Sequence, residues 1–166
     1  MPGMGASGSS SAGSGASSAA MTDVMFAQMM IPHHQQAIDM ADLALEDSSG
    51  ARPEVRALAE QISKAQGPEI AQMQDWLKSW GAEAGMSMDH DMGGMMSDAE
   101  MGELEQAAGA EFDRQWLTMM IEHHEGAITM AENVLEQTRN PDVEKLATAI
   151  VEGQRREIDT MKGLLA

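Results

Sequence analysis

From Met21 onward, apolar residues recur at intervals of three and four, as in Val55, Leu58 and Ile62. This spacing predicts amphipathic helices rather than strands. No apolar run approaches the roughly 18 residues that a membrane span requires. The pattern therefore predicts a soluble, all-α chain.

Capping residues set the expected helix boundaries. Asp and Ser favour helix starts, Pro is tolerated in the first turn, and Gly ends helices in a left-handed conformation. The expected elements are a helix from Thr22 or Asp23 to about Asp47, a second from Pro53 to about Trp80 with Gly81 as its cap, a short helix from Ser97 or Asp98 to Gly109, a helix from Ala110 to Gln137, and a last helix that restarts at Asn140-Pro141 and ends near Leu164.

One segment occurs twice: MMIPHHQQAIDMA at 29–41 and MMIEHHEGAITMA at 119–131, an offset of 90 residues. Asp23 and Phe26 match Asp113 and Trp116 at the same offset. After a turn that is two residues shorter, the match resumes at an offset of 88. The residues Pro53, Val55, Leu58, Ile62, Gln66, Glu69, Ile70 and Met73 correspond to Pro141, Val143, Leu146, Ile150, Gln154, Glu157, Ile158 and Met161. The repeat indicates one helical hairpin used twice.

Neither hairpin can bury its apolar stripe alone, so the two are expected to pack as a four-helix bundle. The predicted organisation is a disordered Gly/Ser-rich tether at 1–20, a hairpin at 21–80, a Met-rich linker with a short linking helix at 81–109, and a hairpin at 110–166. The predicted core comprises Leu43, Leu58, Ile62, Ile70, Leu77, Ile128, Leu135, Leu146 and Ile150.

Charge and cysteine content narrow the function classes. Ten basic and 27 acidic residues give a formal net charge of −17, which repels nucleic acid and anionic membranes and attracts cations. The chain has no Cys but 18 Met. Disulfides and thiolate metal sites are thus unavailable, whereas thioethers can bind soft metals in an oxidising compartment. These features favour an extracytoplasmic protein, either secreted, periplasmic or lipid-anchored, although the first 20 residues show no signal-peptide pattern.

The repeated segment places Met and His on common helix faces. Residues four apart share a face, which pairs Met29 with His33 and Met30 with His34, and Met40 lies two turns beyond His33. The second copy repeats this arrangement with Met119, Met120, His123, His124 and Met130. If each hairpin is closely antiparallel, Met73 and Met161 come beside these Met pairs. The same register brings Gln66 and Glu69 near His34, and Gln154 and Glu157 near His124, to orient the imidazoles.

This ligand set favours copper. Thioether sulfur is soft and prefers Cu(I), while imidazole also serves Cu(II), so a His and Met set without Cys indicates Cu(I) first and Cu(II) as the alternative. A di-iron bundle would need Glu three residues before His, where this chain has Met30, Ile31, Met120 and Ile121. A zinc-protease motif would need a second His at Ile128. Individual Met residues on apolar faces can also be ordinary core residues.

A second candidate site lies in the linker, where MSMDHDMGGMM occupies 86–96. No helical face requires apolar residues in a Gly- and Asp-rich loop, so a soft ion is the favoured explanation and biased linker composition the alternative. The candidate ligands there are Met86, Met88, His90, Met92, Met95 and Met96.

The two motifs, with Met-Ser-Asp-x-Glu-Met at 96–101 and Gly-x-x-Phe-Asp at 109–113, closely resemble the bacterial domain of unknown function 305 family. The resemblance covers about residues 21–166. The resemblance implies a ferritin-like four-helical bundle that is usually exported. The family includes CopM-like proteins, which are implicated in copper binding and resistance. It singles out as matching positions Met30, His33, His34 and Met40, and Met120, His123, His124 and Met130.

The leading hypothesis is a non-enzymatic, extracytoplasmic copper-binding protein that sequesters the metal or passes it to a delivery or efflux protein. Two alternatives stay open: a metal-dependent enzyme built in the bundle, and a metal-free helical interaction module. Paired acid/base carboxylates, an activated nucleophile and a phosphate-binding Gly loop are not recognisable in the sequence.

Overall fold

The structure, a computed structural model, describes residues 12–83 and 93–166. Within these ranges the chain forms helices and no strand, which confirms the all-α prediction. The elements are α1 (Ala12–Leu45), a 3-10 turn (Asp47–Ser49), α2 (Pro53–Ser79), α3 (Asp98–Gln106), α4 (Ala110–Leu135) and α5 (Pro141–Leu165). None of these helices combines the length and apolar character that crossing a membrane requires.

The long helices pack as two hairpins. Helix α1 packs against α2, α4 against α5, and the hairpins meet mainly through α1 and α4, with the short α3 resting on α4. The turns use the expected residues: Pro53 and Pro141 lie in the first turns of α2 and α5, and the Asn140 side chain accepts a hydrogen bond from the Asp142 amide. Gly81 follows α2 with a positive φ of 68°, as predicted.

Helix α1 begins at Ala12, so the expected start at Thr22 or Asp23 was wrong. The Thr22 hydroxyl donates to the carbonyl of Ser18 one turn earlier, which is the bond of a residue inside a helix rather than of an N-cap. Extending an existing helix costs far less than nucleating one, and the preceding segment contains Ala, the best helix former. Residues 1–11 of the predicted tether lie outside the described residues.

Two C-terminal boundaries also differ from the prediction. Helix α4 ends at Leu135, two residues before Gln137. Helix α3 starts as expected, with a capping box between Ser97 and Glu100, but it ends at Gln106. Gly109 does not terminate α3 because it caps α4 instead, with a φ of 65° and its amide donating to the carbonyl of Ser49.

The core is built from Ala and Met as much as from branched residues. Seven of the nine predicted core residues are buried, but Leu43 and Leu135 are only partly buried. Several fully buried positions of α1 and α4 are occupied by small residues, namely Ala37, Ala41, Ala44, Ala127 and Ala131. Small side chains let helices approach closely, which leaves Leu43 and Leu135 at the margin.

Trp116 joins the two hairpins. Its side chain is fully buried, and its indole Nε1 donates to the main-chain carbonyl of Met40 in α1 at 2.8 Å. Buried indoles need such an acceptor. The matching position in the first hairpin is Phe26, which has no polar group to satisfy.

Candidate metal centre

Four histidines meet in the middle of the bundle. His33 and His34 of α1 and His123 and His124 of α4 are all at most 1% exposed. The rings of His33 and His123 lie against each other, with centroids 3.8 Å apart and planes inclined by 31°. The doubled motif therefore brings its two copies together at the interface between the hairpins.

The other two imidazoles each bind a carboxylate. Nε2 of His34 lies 2.6 Å from Oε2 of Glu69, and Nε2 of His124 lies 2.6 Å from Oε2 of Glu157. The predicted pairing of each imidazole with the Glu of the neighbouring helix is thus confirmed. Because a carboxylate accepts hydrogen bonds, each Nε2 carries the proton and donates it.

Gln66 and Gln154 do not share this role. Both side chains are buried near the two His–Glu hydrogen bonds, and they line a small pocket between α2 and α5 of about 30 Å³. Neither makes a hydrogen bond to an imidazole, and the Oε1 atom of each has no partner. The prediction that they orient the imidazoles through direct hydrogen bonds is therefore wrong.

The end of the linker contacts His33. The carbonyl of Gly93 lies 3.2 Å from Nε2 of His33 and accepts its proton. The side-chain amide of Gln36 donates to the carbonyl of Met96 at 2.9 Å, and its side-chain oxygen accepts from the Met96 amide at 2.8 Å. We call residues 93–96 the docked segment.

Glycines on both sides permit this docking. A Cβ on Gly126 of α4 would lie 1.8 Å from the Gly93 carbonyl oxygen, and one on Gly94 would lie 2.5 Å from the Glu122 carbonyl oxygen. Gly94 also has a φ of 81°, which side chains disfavour. Sequence reasoning missed these residues, although a signal existed: the repeat pairs Gln36 with Gly126, and each makes its own contact with the docked segment.

The two stacked imidazoles are uncharged near neutral pH. The pKa of His33 is lowered to about 3, chiefly by burial and then by the neighbouring His34, while the hydrogen bond to Gly93 opposes these effects. Burial, followed by the proximity of His33 and His124, also lowers the pKa of His123 well below its ordinary value. Neutral imidazole is the form that binds metals.

Each imidazole has a buried nitrogen without a hydrogen-bond partner. These atoms are Nδ1 of His33, Nδ1 of His34, Nδ1 of His124 and Nε2 of His123. Since the Nε2 atoms of His33, His34 and His124 donate their protons, their Nδ1 atoms carry the free lone pairs. A carboxylate or carbonyl on one nitrogen and a free lone pair on the other is the arrangement of metal-binding histidines.

The predicted thioether ligands differ in burial. Met30, Met40, Met73, Met120 and Met161 are fully buried and belong to the apolar core, so packing alone also accounts for their positions. Met29, Met119, Met130 and Met95 are partly buried, and Met96 is buried. Met29 and Met130 line an open groove whose walls contain no histidine. Met86, Met88, His90 and Met92 lie outside the described residues.

The present side-chain positions do not form a site from His, Asp and Glu alone. Across 12–83 and 93–166, no three such residues are arranged to hold one ion. A metal bound at the free nitrogens would therefore take one or two imidazoles, completed by sulfur or by rotation of neighbouring side chains. Low coordination numbers and sulfur ligands suit a soft monovalent ion.

Comparisons with known proteins support this fold. A crystal structure of a DUF305 fragment from Deinococcus radiodurans is 39% identical, with a TM-score of 0.79, covering 87% of this chain and 95% of that chain. The structure of CopM in its Cu(II)-bound form is 36% identical, with a TM-score of 0.74, covering 86% and 95% of the two chains. CopM in its Cu(I)-bound form matches at 34% identity and the same TM-score of 0.74.

An uncharacterized protein, L153, of Acanthamoeba polyphaga mimivirus is 42% identical over 53 residues, and the match spans 32% of this chain and 35% of that protein. The family profile described as domain of unknown function (DUF305) matches residues 23–165. That match takes in both hairpins and the segment that joins them, and the chain accordingly belongs to the DUF305 family.

Proposed function

We propose that this protein binds copper, Cu(I) in the first place, through its buried imidazoles and neighbouring Met sulfurs. One observation carries the proposal: four buried imidazole nitrogens have no hydrogen-bond partner. A buried polar atom without a partner costs about 1–3 kcal/mol. A bound ion would supply the missing partner for these lone pairs.

The choice of copper follows from the donors. Glu69 and Glu157 are engaged by His34 and His124, so neither carboxylate is free for a divalent ion such as Zn²⁺ or Fe²⁺. Uncharged imidazole and thioether together favour Cu(I), and Cu(II) is the alternative where Met does not take part. The similarity to CopM, whose structures were solved with Cu(I), Cu(II) and Ag, supports the same assignment.

We propose that the protein sequesters copper or passes it to a delivery or efflux protein outside the cytoplasm. A chain with 18 Met and no Cys supports this location, because thioethers bind soft metal without forming disulfides. The linker residues Met86, Met88, His90 and Met92 remain a proposed second binding region. A metal-dependent enzyme would need an opening that admits substrate to the imidazoles, which are at most 1% exposed. A metal-free interaction module would leave their unpartnered nitrogens unexplained.

Competition for Cu(I) with a chromophoric chelator tests the proposal. We expect the intact protein to withdraw copper from the chelator, and we expect the variant with His33, His34, His123 and His124 all changed to Ala to lose that capacity. Gln35→Ala with Glu125→Ala, which truncates the exposed residues that follow His34 and His124, is the control. Because four truncations in the core create cavities, circular dichroism must show that the variant is folded, and His33→Gln with His123→Gln provides a less disruptive version.

Equal copper capacity in the folded variants and the intact protein would refute a site in the bundle. Loss of capacity only after deletion of 86–92 would move the function to the linker.

Removing the carboxylate behind an imidazole should weaken copper binding without removing a ligand. We expect Glu157→Gln to lower the Cu(I) affinity about 10- to 100-fold, because such partners fix the orientation and basicity of the ligating ring. The Glu157 side chain is only 9% exposed and binds His124 at 2.6 Å. Glu125→Gln, an equal charge change at an exposed position beside His124, is the matched control. Chelator competition on both variants measures the difference, and equal affinities would contradict a role for Glu157.

A further inference from the structure

A groove between α1 and α4 is lined by three methionines. Met25 and Met29 of α1 face Met130 of α4 across an open space of about 330 Å³. Met25 is 43% exposed, and the other two are partly buried. The remaining walls consist of Thr22, Phe26, Asn133, Val134 and Gln137. The groove thus exposes three thioethers and no charged side chain.

The second hairpin does not repeat this groove. The position matching Met130 is Met40, which is fully buried, and Trp116 packs there with its indole bonded to the Met40 carbonyl. In the groove, the position that matches Trp116 is occupied by Phe26, whose side chain is smaller than that of Trp. The position that matches Met25 in the second hairpin is occupied by Gln115, which has no sulfur. The two halves therefore diverge so that one of them opens a space and adds a third sulfur.

These features point to a ligand of one chemical class. Thioethers bind soft monovalent ions, whereas hard cations prefer charged oxygen ligands. The lining of the groove contains no carboxylate. Met side chains are flexible and can converge on an ion from the walls of an open groove. A net charge of −17 raises the local concentration of cations around the surface.

We propose that Met25, Met29 and Met130 form a second, solvent-open site for Cu(I) or Ag(I), separate from the buried imidazoles. This inference rests on the proposed function, since it assigns the same class of ion to a different place. An ion held in the groove can exchange with a donor or acceptor in solution, which the buried imidazoles cannot do directly.

Titration of the full chain with Ag(I), observed by NMR of ¹³C-methyl-labelled Met and ¹⁵N-labelled His, tests the proposal. We expect the methyl signals of Met25, Met29 and Met130 to shift together, and single Met→Leu variants assign them. The triple Met→Leu variant should bind one ion fewer, while its imidazole signals still respond. Met21→Leu is the matched control because Met21 is 64% exposed on the same helix but does not line the groove.

A second variant probes the groove without removing sulfur. Phe26→Trp should fill the space as Trp116 does in the other half, and it should weaken Ag(I) binding by the three methionines at least tenfold. If the imidazoles respond to Ag(I) but the three methyl signals do not, the groove site is wrong and the proposed function stands. If neither set responds, both proposals fail. An unchanged stoichiometry in the triple variant also overturns the groove site.

Discussion

Lowering the pH from 7 to 5 is expected to destabilise the metal-free protein by roughly 4 kcal/mol through two histidines. Burial lowers the pKa of His33 from 6.5 to about 3, and it lowers that of His123 well below 6.5. In the unfolded chain both rings are solvated and take up protons below their ordinary pKa. For each ring that stays uncharged in the folded state down to pH 5, the free energy of unfolding then falls by about 2 kcal/mol.

The sign of this effect is fixed by proton uptake. Below pH 6.5 the unfolded state binds more protons than the folded state, so stability falls as pH falls and continues to fall towards the folded pKa of His33. Buried Asp23 acts in the opposite direction, because burial raises its pKa. The Asp23 contribution is the same in the wild type and in variants that change only histidines. The difference between their slopes therefore reports the histidines.

Urea unfolding of the metal-free protein at several pH values between 7 and 5 measures the effect. We expect His33→Gln to remove about half of the slope of unfolding free energy against pH that these two histidines contribute, and the addition of His123→Gln to remove the rest. Gln is polar but does not titrate in this range. A slope that is the same in the wild type and the double variant would show that other groups are responsible.

Gly126→Ala is expected to detach the docked segment from α4. The new Cβ would lie 1.8 Å from the Gly93 carbonyl oxygen and 2.5 Å from its carbonyl carbon, and main-chain atoms cannot yield by rotating a side chain. Forcing such atoms together typically costs 1–3 kcal/mol. Because Ala favours a helix interior over Gly by about 1 kcal/mol, α4 itself should remain intact. Residues 93–96 should therefore move away, breaking the contacts of His33 and Gln36.

Hydrogen exchange measures this release directly. The Met96 amide, which donates to the Gln36 side chain, should exchange at least tenfold faster in Gly126→Ala. Gly153→Ala in α5 is the matched control, since a Cβ there meets no atom within 4 Å and should only stabilise its helix. Unchanged protection of Met96 in Gly126→Ala would mean that the docked segment is not held as the structure indicates.

The sequence was sufficient for the helical fold and for the pairing of His34 with Glu69, because both follow from helical spacing and the repeat. Spacing shows which face of a helix a residue occupies. It cannot show that a glycine-containing loop folds back onto that face, so the roles of Gly93, Gly94 and Gly126 were missed. The start of α1 was misplaced because Thr22 is equally suited to a cap and to a bond with the carbonyl of Ser18. The partial exposure of Leu43 depends on how closely Ala-rich faces approach, which composition alone does not determine.

The docked segment makes the two copies of the motif inequivalent. His33 binds a main-chain carbonyl of the linker, whereas Nε2 of His123 has no partner. Two otherwise twin binding sites would thus start from different ground states, because the linker carbonyl fixes the ring of His33 and leaves its Nδ1 lone pair free, whereas Nε2 of His123 has no such partner. Saturation is then expected to proceed in two distinguishable steps, with the half that the linker orients filling first.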